Sequence, residues 1–131
     1  MWMLDTNICS YVLRKRPEAV RRRFAAVAAE DLAVSTVVQA ELYYGAARHP
    51  SGAAIRSEID DFLRRLRVLS WDGAAAEAYG QLRALLENKG NVIGAMDMMI
   101  AAHALSLDAT LVSNNLREFR RVKGLRLENW A

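Results

Sequence analysis

Short apolar runs alternate with longer amphipathic segments along the chain, and this alternation restricts the fold more than any other feature. The runs, at residues 2–4, 32–35, 68–69, 110–112 and 125–127, have the length and composition of strands. The segments between them repeat apolar residues every three or four positions, as helices do. Strands that alternate with helices predict an α/β domain with a mainly parallel sheet of four or five strands.

Helices are predicted at residues 6–14, 17–29, 36–47, 51–66, 73–88 and 96–107. Ser35 suits an N-cap, Pro17 suits the first turn of its helix, and Gly90 follows the end of the fifth helix. The helix over 51–66 has an apolar stripe that requires a partner, inside the domain or outside it. A length of 131 residues, with 53% apolar and 25% charged side chains, favours one compact domain over residues 1–131.

Three carboxylates stand at positions where a simple α/β core would have apolar side chains. Asp5 ends the first apolar run, and the carboxyl ends of parallel strands form the edge of a sheet where ligands bind. Glu41 and Asp97 each lie on the apolar face of a predicted helix. We therefore expect all three side chains to meet at one edge of the sheet.

Each carboxylate also has an ordinary structural interpretation. Asp5 could cap the following helix, the negative charge of Asp97 could stabilise the N-terminus of its helix, and Glu41 could pair with an arginine. Together these interpretations weaken, because clustered carboxylates repel one another, raise one another's pKa values and destabilise the fold unless a cation offsets their charge. A divalent ion is the simplest such cation.

The available residue types favour a hard metal ion. His49 and His103 are the only histidines and are far apart, and Cys9 is the only cysteine, so no zinc-binding pattern is present. Carboxylate oxygens suit Mg²⁺, with Mn²⁺ as its substitute, and both ions share their remaining positions with water and phosphate oxygens. His103 is interpreted as a packed or surface histidine, and Cys9 as part of the core.

Several classes of protein are excluded. No apolar stretch approaches the ~20 residues that cross a bilayer, so we expect no membrane association. Asp5 and Asn7 interrupt the N-terminus before a secretory apolar segment could form, and we therefore expect a cytoplasmic protein. The absence of a GxxxxGK[ST] loop, a GxSxG elbow and a Cys/His pairing argues against P-loop nucleotidases and acyl transferases.

Positive charge is concentrated in a few segments, although the net charge is only +3. Basic residues cluster at 14–23, 64–67 and 117–126. Such clusters attract polyanions, including nucleic acids. A solvated helix face explains a charged run equally well, and basicity by itself does not decide between the two.

Five strings extend from one end of the chain to the other: MLDTNI, QAELYYG, IGAMDMMIAAHALSL, ATLVSNNLREF and LENW. Their order and spacing resemble those of the PIN-domain toxins of bacterial toxin–antitoxin pairs, the VapC family. The resemblance implies a PIN fold, which is a three-layer α/β/α sandwich on a parallel sheet. It also implies a Mg²⁺-dependent endoribonuclease that inhibits translation by cutting RNA, often a tRNA.

The same resemblance implies roles for the acidic residues and their neighbours. Asp5, Glu41 and Asp97 match the metal-binding and catalytic acids of the family. Thr6, with Asn7 beside it, would help to place water or metal at the start of the first helix. Helix capping is an equally good interpretation of Thr6.

The string SNN occupies the family's fourth acidic position. Asn115 stands where many relatives have aspartate, and it is assigned to the catalytic set on that basis. Ser113 and Asn114 would orient water or phosphate through neutral hydrogen bonds. Ala95 is a second departure, because relatives often have proline in the loop before the catalytic aspartate.

Partners are implied in the same way. Toxins of this family usually form homodimers and are neutralised by a cognate VapB-type antitoxin, through which contact with DNA is indirect. The helices that begin at Thr36 and Ser51, with Tyr43 and Tyr44, are the expected antitoxin groove or dimer surface. Ordinary core packing explains these residues equally well.

Three hypotheses about function follow from the sequence. The first is a toxin ribonuclease. The second, a non-catalytic RNA-binding module, leaves the acids on buried faces unexplained. The third, a small phosphatase with Asp5 as nucleophile, requires a second acid two residues later, where Asn7 stands.

Overall fold

A computed structural model describes residues 1–131 and contains one five-stranded sheet. The elements are β1 (Trp2–Leu4), α1 (Thr6–Arg14), α2 (Glu18–Ala26), β2 (Leu32–Ser35), α3 (Thr36–Ala47), α4 (Gly52–Leu63), β3 (Arg67–Leu69), α5 (Gly73–Asn88), α6 (Ala95–Ser106), β4 (Thr110–Val112), α7 (Leu116–Phe119) and β5 (Arg126–Glu128). A 3₁₀ turn at Ala29–Asp31 precedes β2. None of the helices has the length and apolar character needed to cross a bilayer.

The sheet is entirely parallel, with the strand order β3-β2-β1-β4-β5. The chain moves outward from β1 to β3 and then crosses to β4 and β5 on the other side. Because crossovers between parallel strands are right-handed, the helices of the two halves cover opposite faces of the sheet. The predicted three-layer α/β/α architecture is confirmed, and the strand order reverses between β1 and β4, where ligand sites form in open α/β sheets.

The predicted elements agree with the structure to within a few residues, and the differences occur where the chain turns. The second and fourth helices end earlier than predicted, at Ala26 and Leu63. Pro17 lies at the N-cap of α2 in extended backbone, just before the first turn. Helix α7 is not predicted, because four residues are too few to display helical periodicity.

The apolar stripe of α4 finds its main partner inside the domain. Ile59, Phe62 and Leu63 are buried in the main core, and the Phe62 ring stacks on Phe24 with 5.5 Å between centroids. Cys9 is also fully buried in this core, as predicted. The stripe therefore packs α4 against α2.

We predict that Phe62→Ala destabilises the fold by about 3–5 kcal/mol, because the ring is fully buried and its removal leaves a cavity between α2 and α4. The free energy of unfolding in urea measures this loss. Phe62→Leu, which retains most of the apolar volume, should lose clearly less. Equal unfolding midpoints for the two variants would show that the ring does not support this part of the core.

Candidate active site

Asp5 is placed at the carboxyl edge of the sheet by two backbone features. Its amide donates to the Val112 carbonyl at 3.0 Å, which ties the end of β1 to the end of β4. Its carboxylate accepts a hydrogen bond from the Ile8 amide at 2.9 Å and so caps α1. The side chain is only 4% exposed. Asp5 is thus both a helix cap and a buried acid at the edge where ligands bind.

Glu41 faces Asp5 from the next part of the chain. Ser35 is the N-cap of helix α3, and its hydroxyl accepts from the Val37 amide at 3.1 Å. Glu41 then lies in the second turn of α3 and accepts a 2.5 Å hydrogen bond from the Thr6 hydroxyl. The cap of α1 is therefore Asp5, whereas the Thr6 hydroxyl orients Glu41.

Asp97 completes the group of acids predicted from the sequence. It lies half-buried in the first turn of α6, which begins after Gly94. Burial raises the pKa of Asp97 from its ordinary value of 3.8 to about 7, and the nearby charges of Glu118, Asp5 and Glu41 act in the same direction. The structure thus brings the three predicted acids into one electrostatic cluster at the edge of the sheet.

Glu118 is the acidic member of the cluster that sequence analysis does not identify. A hydrogen bond between the Asp97 and Glu118 carboxyl groups contributes to the raised pKa of Asp97. Glu118 lies in α7, three residues after Asn115. Glu118 belongs to the string LREF, which directly follows SNN. That position indicates a site residue only when the short helix α7, which turns this segment back toward α6, is known.

The residues of SNN take different positions around Glu118. The Asn115 amide group donates to the Glu118 carboxylate at 3.0 Å, and the Asn115 backbone amide donates to the Ser113 hydroxyl at 2.8 Å. Ser113 is buried and hydrogen-bonds Asp5. Asn114 instead bonds Tyr11 at 3.4 Å and Asn129 at 3.1 Å, away from the acids.

The acids of the cluster carry mutual repulsion that no basic side chain offsets. Burial raises the pKa of Asp5, and the charge of Glu41 adds to this effect, while hydrogen bonds from Ser113 and the Ile8 amide oppose it. None of the salt bridges in the chain involves Asp5, Glu41, Asp97 or Glu118. The alternative in which Glu41 pairs with an arginine is therefore wrong.

This donor set fits a hard divalent cation. No three of the acids converge tightly enough to bind one ion directly. Mg²⁺ typically takes one or two protein carboxylates and fills its other positions with water and phosphate oxygens, so it requires no tighter cage. Asp5, which is buried, and Asp97, which is half-buried, both have raised pKa values and are the acids that gain most from such an ion.

The surrounding helices add a cleft and a buried histidine. Glu41, Thr6 and Asn7 line one end of a cleft of ≈ 550 Å³ between α1, α3 and α4. His103 is buried, and its Nδ1 lies 2.8 Å from the Ser35 hydroxyl. Burial lowers the pKa of His103, and its ring is packed in the core, as predicted.

We predict opposite outcomes for two roles of Asn115. If its amide supports Glu118, Asn115→Asp should slow RNA cleavage about 10- to 100-fold, because it replaces a hydrogen-bond donor by another negative charge. If position 115 is itself a metal position, aspartate should maintain or increase the rate. Cleavage rates at saturating Mg²⁺, with Asn114→Asp as the matched control, distinguish the two.

Comparison with known proteins matches this geometry to one family. The model of the PIN domain matches residues 2–125. Ribonuclease VapC2 of Haemophilus influenzae is 46% identical over 130 residues, which cover 99% of this chain and 98% of that protein. The tRNA(fMet)-specific endonuclease VapC of Shigella flexneri is 42% identical over the same coverage.

A solved structure matches the fold along its whole length. The crystal structure of VapBC2 from Rickettsia felis, bound to a DNA fragment from the promoter, contains a chain that superposes with a TM-score of 0.93. That chain is 40% identical, and the match covers 99% of this chain and 98% of that one. The chain therefore belongs to the VapC family of PIN-domain ribonucleases, the toxins of VapBC toxin–antitoxin pairs.

Proposed function

We propose that this protein is a Mg²⁺-dependent endoribonuclease that cleaves tRNA in the cytoplasm, inhibits translation and is neutralised by a VapB-type antitoxin. The observation that carries the proposal is the cluster of Asp5, Glu41, Asp97 and Glu118, which has no basic partner at the carboxyl edge of a parallel sheet. Such a cluster is costly for stability in the absence of a cation. Mn²⁺ is the expected substitute for Mg²⁺.

The residues of this chain would prepare the site as follows. Asp5 and Asp97 would bind the cation, and Asp97, whose pKa is raised to about 7, would first release its proton. The Thr6 hydroxyl would keep Glu41 directed into the site, and Asn115 would do the same for Glu118. Bound Mg²⁺ lowers the pKa of a coordinated water and offsets charge that develops on the scissile phosphate. No histidine base is then required.

The surroundings of the acids suit an RNA backbone. Arg14, Arg48 and His49 line the same cleft as Glu41. The two arginines would bind phosphates on either side of the bond that is cut, and would supply affinity with little information about sequence. The salt dependence of binding should reflect these contacts. The tRNA substrate is proposed from the Shigella flexneri relative, whose name describes a tRNA(fMet)-specific enzyme.

The partners are proposed from the cleft and from the related complex. Apolar side chains of Leu42, Ala46, Ile55 and Ile59 line the cleft beside its acidic end. A peptide segment of the antitoxin could bury its apolar side chains there and obstruct the acids. Contact with DNA would occur only through the antitoxin, as the Rickettsia felis complex with promoter DNA suggests. A homodimer is also proposed.

The direct test incubates the purified, antitoxin-free protein with total bacterial RNA, with and without Mg²⁺, and maps the new 5′ ends. We expect cleavage in tRNA that requires the metal and disappears when EDTA is added. Asp5→Asn is the matched inactive control, since asparagine also caps helices well. Binding of RNA without cleavage in Mg²⁺ or Mn²⁺ would refute the enzyme and favour a non-catalytic RNA-binding module.

A further inference from the structure

Tyr44 is an aromatic side chain that is exposed to solvent. It is 65% exposed, more than any other large apolar residue of the chain. The neighbouring Tyr43 is half-buried, and its hydroxyl donates to Asp60 at 2.7 Å and so joins α3 to α4. Tyr43 therefore has a clear role in the fold, whereas Tyr44 contributes no buried surface that explains it.

The position of Tyr44 links it to the candidate active site. It lies on α3 one turn after Glu41 and one turn before Arg48, so the three side chains are neighbours on one side of the helix. The Arg48 guanidinium lies 5.4 Å from the centroid of the Tyr44 ring. Arg48 and Glu41 both line the cleft. An exposed aromatic ring and a guanidinium plane thus lie together at the rim of the cleft that Glu41 lines.

We infer that Tyr44 and Arg48 form a stacking platform for an unpaired base of the RNA substrate, next to the phosphate that is cut. Sequence-specific RNA recognition commonly uses unpaired bases that stack on aromatic rings and arginine planes. This inference rests on the proposed function and adds to it a determinant of specificity, since phosphate contacts carry little sequence information.

The charge of the rim favours RNA over a second protein surface. Arg14 and Arg48 are exposed cations on the cleft, and neither takes part in a salt bridge. A polyanion would neutralise them while its base covers the Tyr44 ring. The antitoxin segment proposed above would bind the apolar part of this cleft, whereas the exposed arginines at the rim match the charge of RNA phosphates.

The test uses a single-stranded oligoribonucleotide that spans the cleavage site mapped on tRNA, with 2-aminopurine at each unpaired position in turn. Stacking on Tyr44 should quench the fluorescence of 2-aminopurine at one position. Tyr44→Leu, which keeps an apolar side chain but loses the flat ring, should abolish this quenching. We expect it to raise the KM for RNA on the order of ten-fold, with little effect on kcat. Tyr44→Phe should restore both properties.

Matched controls separate stacking from other effects. Arg48→Lys keeps the charge and loses the plane, so it should weaken quenching while the salt dependence of binding is retained. Leu107→Ala changes an exposed apolar residue at the C-terminal end of α6, the end opposite Asp97, and should change neither quenching nor KM. An abasic nucleotide at the quenched position should remove the difference in KM between wild type and Tyr44→Leu.

Failure of the inference is distinguishable from failure of the proposed function. If the wild-type protein cuts RNA and Tyr44→Leu has the same KM and quenching, the platform does not exist. If Tyr44→Leu changes the oligomeric state in size-exclusion chromatography while RNA binding is unchanged, Tyr44 is a contact between protomers and the inference is overturned. If the wild-type protein cuts no RNA, the proposed function itself fails.

Discussion

Asp97→Asn should fold normally and cleave RNA more than about 100-fold more slowly than the wild-type protein, even at saturating Mg²⁺. Changes to outer-shell partners of a metal typically cost 10- to 100-fold, and Asp97 is expected to contact the ion directly. The substitution keeps the shape of the side chain and removes the negative charge. Single-turnover cleavage rates with the mapped RNA measure the effect.

Two further variants identify the cause of the loss. Asp5→Asn should lose activity to a similar extent while α1 keeps its cap, which separates the structural role of Asp5 from its chemical role. Asp108→Asn removes an exposed carboxylate that pairs with Arg126 at 3.0 Å, far from the cluster, and should cleave at the wild-type rate. Wild-type rates for Asp97→Asn would mean that the acids serve only the fold.

The second large effect is on stability in the absence of metal. Asp97→Asn should be more stable than the wild-type protein, and the difference should grow as the pH rises from about 4 to above 7. In the unfolded chain Asp97 ionises with its ordinary pKa of 3.8, whereas in the folded protein the pKa is about 7. The folded state therefore binds the extra proton, and the wild-type protein loses stability as the pH rises through this window.

The comparison of two proteins isolates Asp97 from other titrating groups. Burial lowers the pKa of His103, so that residue gives a pH dependence of opposite sign below its ordinary value of 6.5. Because His103 is present in both proteins, its contribution cancels in the difference. Urea unfolding in EDTA at pH 5 and pH 8 provides the measurement. A difference that is constant with pH would contradict the raised pKa.

Added Mg²⁺ should reverse the loss of stability with rising pH, and it should do so in the wild-type protein only. A ligand that binds the folded state raises the free energy of unfolding by mass action. The ion requires deprotonated carboxylates, so its stabilising effect should be largest at pH 8. Asp97→Asn should show little change in melting temperature with Mg²⁺.

The sequence was sufficient to predict the parallel sheet and three of the four acids because these features follow from periodicity. Asp5 interrupts an apolar strand, and Glu41 and Asp97 interrupt apolar helix faces. Glu118 could not be predicted in this way. It lies in a helix of four residues, and only the turn at Ser113 and Asn115 brings that helix back over α6.

The roles of Thr6, Tyr43 and Tyr44 depend on contacts between segments that are distant in the sequence, and hydrophobic periodicity does not reveal such contacts. Both a cap and a site role were open for Thr6; Asp5 is the cap, the Thr6 hydroxyl bonds Glu41, 35 residues later, and its role in placing water or metal stays a prediction. Tyr43 and Tyr44 were treated alike, although one is bonded to α4 and the other faces water. The roles of Asp5, Glu41, Asp97 and Asn115 in metal binding and catalysis stay predictions.

A crystal structure of the wild-type protein soaked in Mn²⁺, with anomalous scattering recorded for the metal, would test the account most directly. We predict an anomalous peak within coordination distance of carboxylate oxygens of Asp5 and Asp97, with Glu41 and Glu118 directed toward it. A Mn²⁺-saturated crystal without density at this position, or with metal bound only to exposed acids elsewhere, would contradict the account.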